Sequence, residues 1–153
     1  MLGLFQKKPV SYFSEEEKLV VTAAIQKAEQ RTSGEIRVYI ENHCKETDPV
    51  LRATDVFKQL KMNETAERNG VLVYVAMKDK KLAVYGDAGI HEKVGDAFWQ
   101  SAVDGILLHF NRNNYSEGIA GIVYGIGEAL ATHFPYVQKD DTNELPDDIV
   151  FGK

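Results

Sequence analysis

Residues 70–86 read GVLVYVAMKDKKLAVYG, and they predict a buried strand joined to a second strand by a short turn. Positions 71–77 are almost continuously apolar, which is typical of a strand covered on both faces. Residues 78–80 form a short polar turn into residues 81–86, so we expect the two strands to form a hairpin. The first of the two strands is predicted to be the central strand of the sheet.

The chain before this hairpin predicts two helices with a strand between them. Ser14 and Glu17 fit a capping box, so a helix is expected to begin after Ser14. Residues 35–41 (EIRVYIE) alternate strictly between polar and apolar side chains, which predicts a strand with one face on the core. Asp48 suits the N-cap of a second helix and Pro49 suits its first turn.

The chain after the hairpin predicts two more helices, at about residues 92–111 and 116–133, from the spacing of their apolar residues. Residues 149–151 predict a short extra strand. Helices on both sides of a run of strands favour an α/β fold, a three-layer α/β/α sandwich. We expect a small mixed sheet of three to four strands flanked by about four helices.

Length and composition indicate a single globular domain. The chain has 153 residues, of which 44% are hydrophobic and 27% are charged. These are ordinary values for one folded domain. We expect an N-terminal extension (1–13), a single α/β/α domain (14–134) and an acidic C-terminal tail (135–153) packed on the edge of the domain.

Charge and cysteine content restrict the partners and the compartment. The formal net charge of −5 leaves no broad basic face for phosphates, so nucleic acid is not expected as a partner. Cys44 is the single cysteine, and residues 1–10 lack the apolar run of a signal peptide. Residues 119–130 are apolar but too few to span a membrane. We therefore expect a cytoplasmic protein without a membrane span.

The predicted topology brings several loops to one edge of the sheet. If the first two strands run parallel and the third returns antiparallel, Glu35, residues 64–70 and residues 87–92 lie at the same edge. The tail after Pro135 is expected at this edge as well.

Oxygen-bearing side chains are frequent in these segments. Hard divalent cations prefer carboxylate, amide and carbonyl oxygens. We therefore predict a metal site, with calcium expected and magnesium or manganese as alternatives, whose candidate ligands are Glu35, Glu64, Glu67, Asn69, Asp87, Asp140, Asn143 and Glu144. The opposing interpretation is a solvated acidic tail, which is what most charge clusters are. Were the strand order different, the site would move to Glu41, Asp48 and Asp55.

Other chemical motifs find no support in the sequence. Cys44 has neither a glycine-rich turn nor an arginine at the spacing of a phosphate loop, and no second Cys or His pair stands at zinc-finger spacing. The glycines at 118, 121, 125 and 127 lie within a helical pattern and do not follow a strand, so a dinucleotide fingerprint is excluded. No catalytic residue is identified from the sequence.

Four segments together resemble the TPM domain family: residues 33–36 (SGEI), 69–72 (NGVL), 85–90 (YGDAGI) and 115–119 (YSEGI). The resemblance covers about residues 14–134 and implies an α/β/α sandwich. Residues 143–148 (NELPDD) are similar to the tail of small stand-alone members. Many other relatives carry a signal peptide and a C-terminal membrane span.

The resemblance implies two activities, since some relatives are credited with divalent-metal binding, chiefly of calcium, and others with acid phosphatase activity. Asp87, Glu67 and Asn69 match family positions, whereas the tail ligands come from the predicted geometry alone. A phosphatase would need a nucleophile or a metal-bound water, together with a cationic clamp that Arg68 or Arg37 would supply.

Three hypotheses follow from the sequence. The first is a calcium-binding regulatory or interaction module in which the metal orders the edge loops and the acidic tail for an unidentified protein partner. The alternative is a metal-dependent acid phosphatase acting on phosphate monoesters. The third is a purely structural or protein-interaction domain that binds no metal.

Overall fold

A computed structural model describes residues 13–110, 114–137 and 149–152 of the chain. The elements in chain order are α1 (Glu15–Glu29), β1 (Glu35–Glu41), α2 (Pro49–Gln59), β2 (Gly70–Ala76), β3 (Lys81–Gly86), α3 (Ala88–Val94), α4 (Asp96–Phe110), α5 (Tyr115–His133) and β4 (Ile149–Phe151).

The four strands form one mixed sheet in the order β3-β2-β1-β4. β1 and β2 run parallel, with Glu35 beside Gly70 and Glu41 beside Ala76. β3 returns antiparallel to β2, and β4 pairs parallel with the second half of β1. The predicted hairpin and the predicted extra strand are both confirmed.

Helices cover both faces of the sheet, and six of the seven residues of β1 are buried although only one face of that strand is apolar. Ile36, Val38 and Ile40 of β1 face a core that they share with α1, α4 and α5. Leu72 and Tyr74 of β2 face a second core on the side of α2. All seven residues of β2 are buried, as the continuous apolar pattern predicted. The three-layer α/β/α arrangement is confirmed.

Local capping determines where the first two helices begin. Ser14 Oγ accepts a hydrogen bond from Glu17 N at 3.1 Å, and the Glu17 carboxylate accepts one from Ser14 N at 2.8 Å, which completes the predicted capping box. Asp48 caps α2 by accepting from Val50 N at 2.9 Å.

The single helix predicted at about 92–111 is wrong, because the structure has two helices in that region. Asp87 caps α3, which begins at Ala88. Gly95 then leaves the helical conformation with a φ of 81°, which glycine adopts at little steric cost, and α4 begins at Asp96. The described residues therefore form five helices, one more than the approximate number predicted.

Across the described ranges, no helix is both long enough and apolar enough to cross a membrane.

The glycines of α3 and α5 differ in their surroundings, and this difference is testable. A Cβ at Gly89 would lie 2.1 Å from the backbone oxygen of Glu67, whereas a Cβ at Gly121 would meet nothing within 4 Å. Gly89→Ala is therefore expected to lower the free energy of unfolding by about 1–3 kcal/mol through overpacking. Gly121→Ala is expected to raise it by up to about 1 kcal/mol, because alanine is the better helix former.

Urea unfolding followed by circular dichroism measures both variants. Equal effects of the two substitutions would contradict the close approach of α3 to the loop before β2.

Candidate functional site

The loops predicted to converge do meet at the N-terminal edge of the sheet, which we define as the edge where β1 and β2 begin. Asp87 N donates to Gly70 O at 2.9 Å, and Gly89 N donates to Arg68 O at 2.8 Å. Glu35 lies beside Gly70 in the register of the two parallel strands. The predicted convergence of Glu35, residues 64–70 and the Asp87 turn is confirmed.

The chain that follows α5 is fixed at the same edge. Ser33 N donates to Phe134 O at 3.0 Å and Tyr136 N donates to Arg31 O at 3.1 Å. The Thr32 hydroxyl also donates to Phe134 O, and Thr32 forms an isolated β-bridge with Pro135. Residues 134–136 therefore lie at the N-terminal edge, as predicted, whereas the packing of the acidic segment 138–148 falls outside the described residues.

Asp87 is the most constrained of the predicted ligands. Arg68 Nε and Nη2 donate to its two carboxylate oxygens at 2.7 and 2.8 Å, and Ala88 N donates to Oδ1 at 2.8 Å. The Asp87 side chain is only 3% exposed, whereas that of Arg68 is 52% exposed. The hydrogen bonds to Asp87 raise the pKa of Arg68. A cation that takes Asp87 as a ligand must therefore compete with a guanidinium group.

Asn69 holds the two strand starts together. Its side-chain Nδ2 donates to Ser33 Oγ at 3.3 Å, and its backbone oxygen accepts from Glu35 N at 3.4 Å. Asn69 N donates to the Thr65 hydroxyl at 3.3 Å. Glu35 and Asn69 are both buried, at 4% and 2% exposure.

The other predicted ligands divide into two groups. Glu64 and Glu67 are exposed in the loop before β2. Asp140, Asn143 and Glu144 lie outside the described residues. Within the described part of the chain, no group of three His, Cys, Asp or Glu side chains is placed to hold a metal ion. The described candidate residues therefore share an edge without forming a preassembled group of this kind.

The opposite edge of the sheet contains a buried charged network. Arg52 Nε and Nη2 donate to the Glu41 carboxylate at 2.9 and 3.0 Å, and the Tyr74 hydroxyl donates to the same carboxylate. The hydrogen bond with Glu41 raises the pKa of Arg52, and burial raises the pKa of Tyr74. A metal site at Glu41, Asp48 and Asp55 was the alternative for a different strand order. β2 lies where it was predicted, so this alternative does not apply.

Asp79 organises the loop that follows β1. His43 Nδ1 lies 3.0 Å from Asp79 Oδ1, and Cys44 N donates to Oδ2 at 2.7 Å. The hydrogen bond with His43, followed by that from the Cys44 backbone, lowers the pKa of Asp79. The Cys44 thiol donates to Glu46 O at 3.1 Å, which agrees with a structural role for this cysteine.

A groove of about 750 Å³, which we call the β3 groove, lies beside β3 and was not predicted from the sequence. Residues 82–87 form its floor, Pro49 and Val50 of α2 line one side, and Trp99 and Val103 of α4 line the other. Arg68 also lines the groove. The groove depends on where α2 and α4 pack beside β3, and no local sequence pattern reports that.

Comparison with known proteins identifies the family. The model of the TPM domain matches residues 7–129, so this chain belongs to the TPM domain family. No protein with a curated description matches the chain.

Solved structures share the fold. The NMR structure of BA42 protein from the psychrophilic bacterium Bizionia argentinensis has a TM-score of 0.82 and 44% sequence identity, and the match covers 92% of this chain and 95% of that one. The N-terminal domain of a P. gingivalis protein has a TM-score of 0.65 at 16% identity, covering 82% of this chain and 83% of that one. The N-terminal domain of cg2496 protein from Corynebacterium glutamicum has a TM-score of 0.59 at 13% identity, covering 85% and 78%. The last two similarities concern the fold alone.

The buried tyrosine of the charged network predicts a pH dependence. Burial, and then the hydrogen bond to Glu41, raise the pKa of Tyr74 above its ordinary value of 10.0. A raised pKa contributes stability that is complete below the unfolded pKa and is lost as pH rises through the folded one. We therefore expect the free energy of unfolding to fall above about pH 10, by up to about 1.4 kcal/mol per pH unit for this group.

Urea unfolding between about pH 8 and about pH 11.5 tests this dependence. Tyr74→Phe is expected to be less stable at neutral pH. Above about pH 10 its free energy of unfolding should fall less steeply than that of the wild type, by the contribution of one titrating proton. Tyr124→Phe, at a position that is 46% exposed, serves as the control and should keep the wild-type slope. An unchanged slope in Tyr74→Phe would contradict the assignment.

Proposed function

We propose that this chain is a non-catalytic TPM domain that binds a divalent cation, calcium, at the N-terminal edge of the sheet and thereby regulates a protein-interaction surface. The observation that supports this proposal is the convergence of Glu35, residues 64–70 and the Asp87 turn, which backbone hydrogen bonds hold together. Magnesium and manganese are the alternative ions.

The donor chemistry suits a hard cation. Calcium takes six to eight oxygen ligands at about 2.3–2.6 Å. Glu64 and Glu67 present exposed carboxylates from the loop that also contains Asn69. Asp87 would add a further carboxylate ligand from the described residues.

The tail supplies the remaining oxygens in this proposal. Residues 138–148 include five carboxylates, those of Asp140, Asp141, Glu144, Asp147 and Asp148. The chain on one side of this segment is bonded to Arg31 through Tyr136, and the chain on the other side joins β1 through Ile149. Both attachments are to the region around β1, and we propose that the carboxylates between them contribute to the site.

Arg68 acts as the competitor of the cation in this proposal. Its guanidinium neutralises Asp87 in the absence of metal, and its half-exposed side chain is free to turn towards solvent when a cation takes the carboxylate. Binding would thus exchange one positive partner of Asp87 for another and release an arginine at the end of the β3 groove.

An amide NMR titration of metal-stripped protein with calcium, repeated with magnesium, tests the site. We expect saturable shifts in residues 64–70, 87–92 and 140–148. We also expect the apparent free energy of unfolding to rise by about 2.7 kcal/mol at a calcium concentration one hundred times the Kd. Glu67→Gln should weaken binding, whereas Glu128→Gln, an equal loss of charge on the exposed face of α5, should not. A flat titration would leave the metal-free interaction domain as the better hypothesis.

Replacing the competitor gives an independent test of Asp87. Arg68→Ala is expected to raise calcium affinity by up to about fivefold, because the variant lacks the guanidinium that competes with the cation for Asp87. Isothermal titration calorimetry measures the change, and urea unfolding of the same variant verifies that it remains folded. Unchanged or weakened affinity would exclude Asp87 as a ligand.

The phosphatase alternative has one supporting observation, the exposure of Arg68 near the proposed metal ligands. Arg37, the other arginine considered as a phosphate clamp, is only 8% exposed and therefore unsuited to hold a substrate. Hydrolysis of p-nitrophenyl phosphate that requires added metal and disappears in Asp87→Asn would favour this alternative over the non-catalytic module.

A further inference from the structure

The outer edge of β3 presents backbone groups that β2 does not use. Asp87 N is bonded to Gly70 O, and the same antiparallel register continues along the hairpin. Hydrogen-bonded pairs alternate in such a ladder. The N–H and C=O groups of residues 81, 83 and 85 therefore face β2, and those of Leu82, Val84 and Gly86 face outward.

Nothing in the described ranges pairs with these outward groups. The order of the sheet ends at β3, and no described backbone or side-chain group makes a hydrogen bond to the backbone of Leu82, Val84 or Gly86. An unsatisfied row of this kind is a template for another strand.

β3 also lacks the usual protection of an edge strand. Proteins block such edges with proline, bulges or charged side chains. Here six consecutive pairs run from Val71–Gly86 to Ala76–Lys81 without a bulge, and β3 contains no proline. Its one charged residue, Lys81, stands at the first position, so residues 82–86 are left without such protection. The outward donors and acceptors instead lie at the floor of the β3 groove.

The shape of the groove favours one extended chain. Its walls come from the start of α2 on one side and from α4 on the other, with Val50 48% exposed and the Trp99 ring lying against Gly86. Neighbouring strands in a sheet lie about 4.8 Å apart, so an added strand would sit between these walls. A second copy would bring β3 flanked by its own helices, which makes sheet-to-sheet docking unfavourable.

Charge specifies the chemistry of the peptide. The turn before β3 carries two exposed lysines, Lys78 and Lys80. Lys81 begins β3, and its Nζ donates to Thr47 O at 3.1 Å. The nearby Asp79 carboxylate is engaged by His43 and Cys44 N. At the other end, Arg68 is neutralised by Asp87. The lysine end of the groove is therefore complementary to carboxylates.

We propose that the β3 groove binds an extended peptide segment of a partner protein as a fifth strand, with acidic residues at the end that lies by Lys78, Lys80 and Lys81 and with apolar side chains at alternate positions. Strand addition of this kind gains affinity from main-chain hydrogen bonds and specificity from alternate side chains. The proposal does not rest on cation binding, and its test is carried out in chelator.

The probes are two synthetic peptides of alternating valine and threonine, one with two glutamates at its N-terminus and the other with them at its C-terminus. Trp99 is the single tryptophan of the chain and lines the groove, so its fluorescence reports binding directly. We expect a saturable change with at least one peptide, together with amide shifts at residues 82, 84 and 86. The peptide that binds identifies the direction of the added strand.

A backbone substitution tests the hydrogen bonds. Val84→Pro removes an outward N–H without removing a bond to β2, and proline is tolerated on an edge strand in that position. It is expected to weaken the peptide about tenfold or more, whereas Val84→Thr should bind as the wild type does.

Methylation of the peptide gives a test that does not depend on the folding of a variant. N-methyl groups on alternate residues should abolish binding in one register and leave it intact in the other, because only alternate N–H groups face β3. Three results would each overturn the proposal. The first is an equal effect of N-methylation in both registers, and the second is a set of amide shifts confined to other parts of the molecule. The third is concentration-dependent dimerisation through β3 that the peptides do not inhibit.

Discussion

The parallel pairing of β1 with β2 is the constraint on which the rest of the structure depends. Parallel neighbours cannot be joined by a tight turn, so the chain must leave the sheet at Glu41, form α2 and return at Gly70. This arrangement places the starts of both strands at one edge and their ends at the other. The loop before β2 is thereby brought beside the Asp87 turn, while Glu41 and Tyr74 are brought under Arg52.

The two edges use charged groups in different ways. At the end of β1, Arg52, Glu41 and Tyr74 satisfy one another in a buried site, and none of the three charged or hydroxyl groups is left for a ligand to recognise. At the start of β2, Arg68 and Asp87 form an equally direct pair, but half of the arginine side chain remains in solvent. Breaking the first pair would leave a buried charge, which is usually costly. Opening the second pair would return Arg68 to solvent but would leave the Asp87 carboxylate, which is 3% exposed, without a positive partner unless a cation replaced the guanidinium. The N-terminal edge is therefore the one suited to an exchange of positive partners.

Local patterns were sufficient to predict most of the fold. Continuous apolar residues in β2 report burial on both faces, and the Ser14–Glu17 capping box is a purely local signal. The alternation in β1 reports a strand but not its full burial, because the polar residues Glu35, Arg37 and Glu41 are buried too. Gly95 was missed because a single glycine is tolerated within many helices, and the apolar spacing continues past it. Only its positive φ reveals the break.

The site was less predictable because it depends on partners distant in sequence. Arg68 and Asp87 are 19 positions apart, and their pairing requires the register of β2 with β3. Both residues were identified from the sequence, but Asp87 was assigned to a metal and Arg68 to a phosphate. Their ion pair with each other is not apparent from the sequence. The β3 groove was missed for a related reason, because its walls belong to α2 and α4, and the packing of these helices beside β3 is a property of the whole fold. The tail ligands Asp140, Asn143 and Glu144 stay a prediction.

The Arg68–Asp87 pair also connects the two proposals physically, because both residues line the β3 groove while Asp87 belongs to the predicted ligand set. A cation that takes Asp87 would leave an unneutralised guanidinium at the end of the groove opposite the lysines. The groove would then be positive at both ends, and acidic residues at either end of a bound peptide would find a partner. By thermodynamic linkage, a peptide that prefers the released arginine must raise the affinity of the cation by the same factor. One exposed arginine would thus be sufficient to couple cation binding to peptide binding without any change in the fold. The element with two states is the Arg68 side chain, which would leave the carboxylate of Asp87 and pair with a carboxylate of the peptide.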